Sequence, residues 1–145
     1  MKRLFYLLAA AAFNACGSAT TLSVMTFNMR YDNPEDGADN WRFRRGRVAE
    51  VIASHGVDVF GTQELLANQL GDLKRLLPGY AAVGVGREDG AEAGEFSAVF
   101  YRRDRFTPLE SGTFWLSETP DVAGSKGWDG ACERVATWVV LHDRE

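Results

Sequence analysis

Two polar residues close two otherwise apolar runs. Asn28 ends Leu22–Asn28 (LSVMTFN), and Glu64 follows directly on Val57–Gln63 (VDVFGTQ). Both runs are β-rich, and the first is apolar on both alternations, which predicts a strand covered on both faces. A helical pattern lies between them. A strand–helix–strand crossover makes such strands neighbours, so both side chains emerge at one sheet edge, outside the carboxyl ends where open α/β sheets bind ligands. A carboxylate beside an amide oxygen suits a hard divalent cation such as Mg²⁺, which takes one or two protein oxygens and fills its shell with water and phosphate. The same residue types also serve plain local roles: Asn28 can cap a turn and Glu64 can open the following helix.

The elements that must place this pair are legible in the pattern. Asn40 is the expected N-cap of a helix beginning near Trp41, with Trp41, Val48, Val51 and Ile52 on one face and Gly56 stopping it after His55. Residues 28–39, crowded with Asp, Asn, Pro and Gly, read as a loop. A second helix carries Leu66, Leu70, Leu73 and Leu77 and is closed by Pro78-Gly79. Strands are expected at 80–85, 96–101, 112–116 and 136–141, with a long polar loop over 117–134. The order predicts an α/β fold, a mixed sheet with helices on one face. The sequence ends on His142-Asp143-Arg144-Glu145, turn chemistry after a strand, and from this we expect an interrupted chain.

Composition narrows the partners. The 145 residues suffice for one modest domain, and 46% hydrophobic with 25% charged residues is ordinary globular material. Sixteen Lys and Arg against 20 Asp and Glu give a net charge of −4, so no stable nucleic-acid complex held by electrostatics is expected. Met1-Lys2-Arg3 followed by the apolar run Leu4–Phe13 and small residues through Ala19 reads as a signal peptide, residues 1–19. A secreted or periplasmic location follows, with membrane attachment only if Cys16 is lipidated. Without Cys16, Cys132 has no partner for an internal disulfide.

Residues 24–30 (VMTFNMR), 61–65 (GTQEL), 84–90 (GVGREDG), 94–101 (GEFSAVFY), 111–120 (SGTFWLSETP) and 125–138 (SKGWDGACERVATW) resemble the amino-terminal half of the endonuclease/exonuclease/phosphatase superfamily. The resemblance runs from about Leu22 to Arg144 and is nearest to secreted bacterial members. It implies that residues 20–145 form the amino-terminal half of a four-layer α/β/β/α sandwich that hydrolyses phosphate esters with Mg²⁺ or Mn²⁺. It places Asn28 and Glu64 in the metal–phosphate site, with Glu64 as the metal ligand. It makes Glu95 the support of a catalytic histidine not in this chain, and Arg134 a residue that holds substrate phosphate. Arg87, in the GRED turn, is a further phosphate candidate and as readily a surface arginine.

Other features take plainer readings. The basic run Arg42, Arg44, Arg45, Arg47 is expected to be a solvated helix face. Trp41 is expected to anchor its helix, while Trp128 could stack on a base or sugar at the cleft rim. His55 falls at a helix end and His142 in the terminal turn. The sequence lacks the family's NTHxDH-like strand, its GDFN segment and its SDH. Glu64 alone cannot both place a cation and activate water. The expectation is therefore a metal-dependent phosphoesterase in complete form, with this chain inactive and poorly soluble by itself. The alternative is a non-catalytic truncated relic or extracytoplasmic binding half-domain. Nucleic acid, phospholipid head group and sugar phosphate are not distinguished as substrates.

Overall fold

The first two strands, β1 (Val24–Asn28) and β2 (Val59–Gln63), run parallel with Asn28 opposite Gln63. A parallel pair needs a long crossover, and α1 (Trp41–Ser54) supplies it. These features come from a computed structural model that describes residues 20–145; the segment read as a signal peptide, residues 1–19 with Cys16, lies outside the described residues. Asn40 caps α1 through its side chain, which accepts from the Arg42 amide at 3.2 Å. Gly56, at φ +56°, turns the chain out of the helix.

After β2 the chain forms α2 (Ala67–Leu76), β3 (Tyr80–Val83) and β4 (Val99–Arg102). The sheet order is β1-β2-β4-β3, with β4 antiparallel to both neighbours. Trp41, Val48, Ala49 and Ile52 of α1 and Leu73 of α2 join Phe60 and Phe100 of the sheet in one buried cluster. The Phe60 and Phe100 rings stack at 4.5 Å between centroids, and Tyr80 meets Phe60 edge-on at 5.4 Å. The α/β class and the mixed sheet thus follow the sequence reading.

A two-stranded antiparallel ladder completes the chain, β5 (Phe106–Trp115) with β6 (Val135–Asp143). Four expectations change here. β1 is covered on one face only: Val24 is 66% exposed, and Thr26 and Asn28 also face outward, because the helices pack on the opposite side. β5 begins at Phe106 instead of Gly112, since a bulge between Pro108 and Glu110 absorbs the proline within the ladder. β6 continues through Asp143, which puts His142 in a strand opposite Thr107 and not in a turn. Finally, Pro34–Asp39 forms 3₁₀ turns on either side of a kink at Gly37, φ +54°, inside the expected loop.

The extension of β6 has an ionic cause. Arg105, 4% exposed, donates to Asp58 Oδ2 at 2.9 Å, to Asp143 Oδ2 at 2.7 Å and to the Thr21 carbonyl at 2.9 Å. The Asp58 carboxylate also accepts from the Ser23 amide at 2.8 Å and from Arg102 at 3.3 Å. Hydrogen bonding to Arg105 holds the Asp143 carboxyl below the usual carboxylate range. This cluster ties the start of β1, the approach to β2 and the end of β6 together. It lies at the amino ends of β1 and β2, away from the edge that carries Asn28 and Glu64.

Candidate active site

Glu64 leaves β2 with φ +55°, a left-handed backbone that a long side chain rarely adopts. Leu65 and Leu66 separate it from α2, whose N-cap is Leu66, so Glu64 does not open that helix. Its Oε1 accepts from Asn28 Nδ2 at 3.0 Å, and its Oε2 accepts from the Tyr31 amide at 3.4 Å. Asn28 Oδ1 in turn accepts from the Arg30 amide at 2.8 Å. A backbone N–H can only donate, so the amide oxygen must face Arg30 and the NH₂ must face the carboxylate. Asn28 therefore does cap a turn, and by doing so it aims its amide at Glu64.

The loop after β1 is held from two helices. From α1, Arg44 donates to the carbonyls of Met29 at 2.6 Å, Arg30 at 2.5 Å and Asp39 at 2.9 Å. From α2, the fully buried Gln69 accepts from the Leu66 amide at 2.9 Å and the Asp32 amide at 3.2 Å, and donates to the Arg30 carbonyl at 2.9 Å. Arg30, itself at φ +53°, grips Asp36 through two nitrogens; that hydrogen bonding raises the guanidinium pKa and lowers the carboxyl pKa.

Two members of the basic run are thus half-buried and engaged: Arg44 staples the loop, and Arg45 pairs with Asp72 of α2 at 2.9 Å. Arg42 and Arg47 remain exposed. Gln69 was the residue that spacing alone did not single out. Its one signal is position, a glutamine at the third residue of a helix reaching back to the cap amide.

A hairpin brings the opposite wall. Arg87 Nη1 and Glu95 Oε2 pair at 2.7 Å, and Trp115 Nε1 donates to the Arg87 carbonyl at 2.6 Å, fixing the hairpin to β5. Glu95 is therefore not a solvated edge carboxylate. Its partner among the described residues is Arg87. The Arg87 Nε is buried without a hydrogen-bond partner. Arg134 enters β6 with its carbonyl accepting from the Leu116 amide at 2.8 Å, while its exposed side chain meets no carboxylate among the described residues.

These walls enclose a cavity of about 200 Å³ lined by Asn28, Gln63, Glu64, Arg87, Glu95, Ser97, Arg134 and Val135. All five residues singled out from sequence meet in it, joined by Gln63, Ser97 and Val135. Trp41 lies elsewhere, 2% exposed with Nε1 donating to Asp72 at 2.9 Å, as its anchoring role requires. Among the described residues no histidine lines the cavity. The His55 Nδ1 meets the Val51 carbonyl at 2.7 Å at the end of α1, and His142 stands on β6.

The donor set decides which metal would fit. No group of three or more His, Cys, Asp or Glu converges among the described residues. One carboxylate with lone pairs to spare, in a cavity large enough for water and phosphate, suits Mg²⁺ or Mn²⁺ better than a closed zinc site.

Comparison with known proteins bears on the family and the fold. The endonuclease/exonuclease/phosphatase family matches residues 25–143. No curated protein matches. Among solved structures, an endonuclease/exonuclease/phosphatase from Bacteroides vulgatus is 50% identical with a TM-score of 0.81, covering 82% of this chain and 46% of its own. A family protein from Bacteroides thetaiotaomicron is 47% identical with a TM-score of 0.84, covering 87% and 47%. A mannosyl-6-phosphatase from the same organism is 47% identical with a TM-score of 0.83, covering 86% and 47%. The chain spans about half the length of these structures.

Proposed function

The chain belongs to the endonuclease/exonuclease/phosphatase family, and we propose that it carries the metal- and phosphate-binding part of a Mg²⁺- or Mn²⁺-dependent phosphoesterase. The observation that carries this reading is the meeting of Glu64, Asn28, Arg87, Glu95 and Arg134 around one cavity. Glu64 would hold the cation, kept in place by Asn28 and the Tyr31 amide. A divalent cation bound there supplies Lewis-acid polarisation of a phosphoryl oxygen. Arg134, without a carboxylate partner among the described residues, is the group to meet the phosphate; a guanidinium matches two phosphoryl oxygens at once. Arg87 is restrained by Glu95, which makes it the second contact.

Sugar phosphates are the substrate class we favour, because one 47%-identical structure is a mannosyl-6-phosphatase. We also propose that the outward face of β1 and β2 is the inner face of a four-layer sandwich, and that the protein works outside the cytoplasm. A binding-only half-domain is the second reading, favoured by one observation: among the described residues the cavity has no histidine.

The test is binding of inorganic phosphate to the 145-residue protein with and without Mn²⁺. Phosphate binding that needs Mn²⁺ and weakens in Arg134→Ala supports the assignment, and binding indifferent to both removes it. Rapid Mn²⁺-dependent hydrolysis of a sugar phosphate by the same protein, abolished in Glu64→Ala, would overturn the binding-only reading and the expectation that this chain is inactive alone.

A further inference from the structure

The loop between β5 and β6 ends at Arg134 and carries a second feature that the phosphate cavity does not use. Gly130 N donates to the Gly127 carbonyl at 3.0 Å, closing a four-residue turn whose central residues are Trp128 at φ +52° and Asp129 at φ +62°. Those signs are those of a type I′ turn, which favours Gly, Asn or Asp at both centres. A bulky aromatic at the first centre is a backbone outlier. The turn is pressed onto the loop's base: a Cβ on Gly127 would lie 2.5 Å from Ser117 Cα. Ser117 is itself buried, its hydroxyl 2.7 Å from that of Ser125 and accepting from the Thr119 amide at 3.0 Å. Yet Trp128 is 67% exposed. The loop is braced below the turn while the indole is held in water on a strained backbone, so packing does not account for the residue.

Around the indole lies a hollow of about 270 Å³ lined by Glu118, Lys126, Gly127, Trp128, Asp129 and Gly130. One aromatic face, two carboxylates and one ammonium define what it can take. A lipid chain needs a continuous apolar wall, which is absent. A free anion meets two acids against one lysine. A sugar ring matches this lining: its C–H face would lie on the indole, its hydroxyls would donate to Glu118 and Asp129, and a ring or hydroxyl oxygen would accept from Lys126. We propose that this hollow is a subsite for a pyranose ring, with Trp128 as its specificity-determining residue. As a sugar-binding site the hollow stands alone. Its role in selecting substrate rests on the phosphoesterase reading, since the loop that carries it also delivers Arg134 to the phosphate cavity.

The experiment titrates the full chain, without metal, with methyl mannopyranoside, methyl glucopyranoside and adenosine. Tryptophan emission and saturation transfer to the sugar C–H protons are the readouts. The expected result is saturable glycoside binding, weakened at least tenfold in Trp128→Ala and largely kept in Trp128→Phe. Binding in Glu64→Gln should equal wild type, so failure of the metal site leaves this result intact. Trp128→Asn, which suits the turn, should raise the melting temperature while losing the sugar response. Glycoside binding unchanged in Trp128→Ala, no glycoside binding at all, or a preference for adenosine over both glycosides would each overturn the proposal.

Discussion

Asn28 Nδ2 donates to Glu64 Oε1 at 3.0 Å while Asn28 Oδ1 accepts from the Arg30 amide at 2.8 Å. The asparagine is thus oriented by backbone and orients the carboxylate in turn. Replacing it with alanine should leave Glu64 free to swing. Outer contacts of this kind are worth about 10- to 100-fold in metal affinity. Asn28→Ala is expected to weaken Mn²⁺ binding by that order. Isothermal titration of Mn²⁺ into this variant and the wild type checks this.

Gln69 should matter to the site from a distance. Its amide satisfies the Leu66 and Asp32 amides and the Arg30 carbonyl, all around the loop that holds Asn28 and Tyr31. Gln69→Leu leaves those groups unpaired in a buried setting, at about 1–3 kcal/mol for an unsatisfied group. We expect a loss of about 3 kcal/mol in urea unfolding, together with weaker Mn²⁺ binding. Gln69→Glu keeps the accepting oxygen and should lose less.

Asp72 sets an acid limit on the α1–α2 contact. Burial pushes its carboxyl up, but hydrogen bonds from Arg45, Trp41 and Arg75 outweigh this and leave it below the ordinary 3.8. A depressed carboxyl contributes stability that is full above its unfolded pKa and lost as pH falls through the folded value. The gap in melting temperature between wild type and Asp72→Asn should therefore be widest near neutral pH. It should close below about pH 4. A gap that stays constant to pH 2 would contradict the assignment.

Arg105 is the buried charge whose removal should be worst tolerated. Arg105→Met leaves the buried Asp58 with the Ser23 amide at 2.8 Å and one cation, Arg102 at 3.3 Å, and takes the guanidinium from Asp143. Breaking one side of a buried pair typically costs about 3–5 kcal/mol. We expect a loss near the lower end, because Arg102 still faces Asp58. Amide exchange should speed first at the Arg105–Asp143 end of the β5–β6 ladder.

What was legible in the sequence was local. Asn40 as a cap, Gly56 as a stop and the leucine spacing of α2 act within a turn or two, and each appears in the fold where it was expected. Asn28 and Glu64 were readable as a pair because each ends its own strand. The remainder depends on partners far away in the chain. Arg44 bonds carbonyls 14 and 15 residues back, and Arg105 gathers groups from Thr21, Asp58 and Asp143. No periodicity announces such contacts, so the pattern alone reads the basic run as a solvated face and gives no sign of the ionic cluster. β5 looked short because Pro108 and Gly112 resemble breaks, while the bulge and the ladder with β6 absorb them.

Manganese binding by the 145-residue protein and by Glu64→Gln, measured by electron paramagnetic resonance at matched protein concentration, tests the central claim most directly. The account predicts one saturable Mn²⁺ site in the wild type, weakened at least tenfold in Glu64→Gln with the melting temperature unchanged. Equal Mn²⁺ affinity in the two proteins, or no Mn²⁺ binding by a folded wild type, would contradict it.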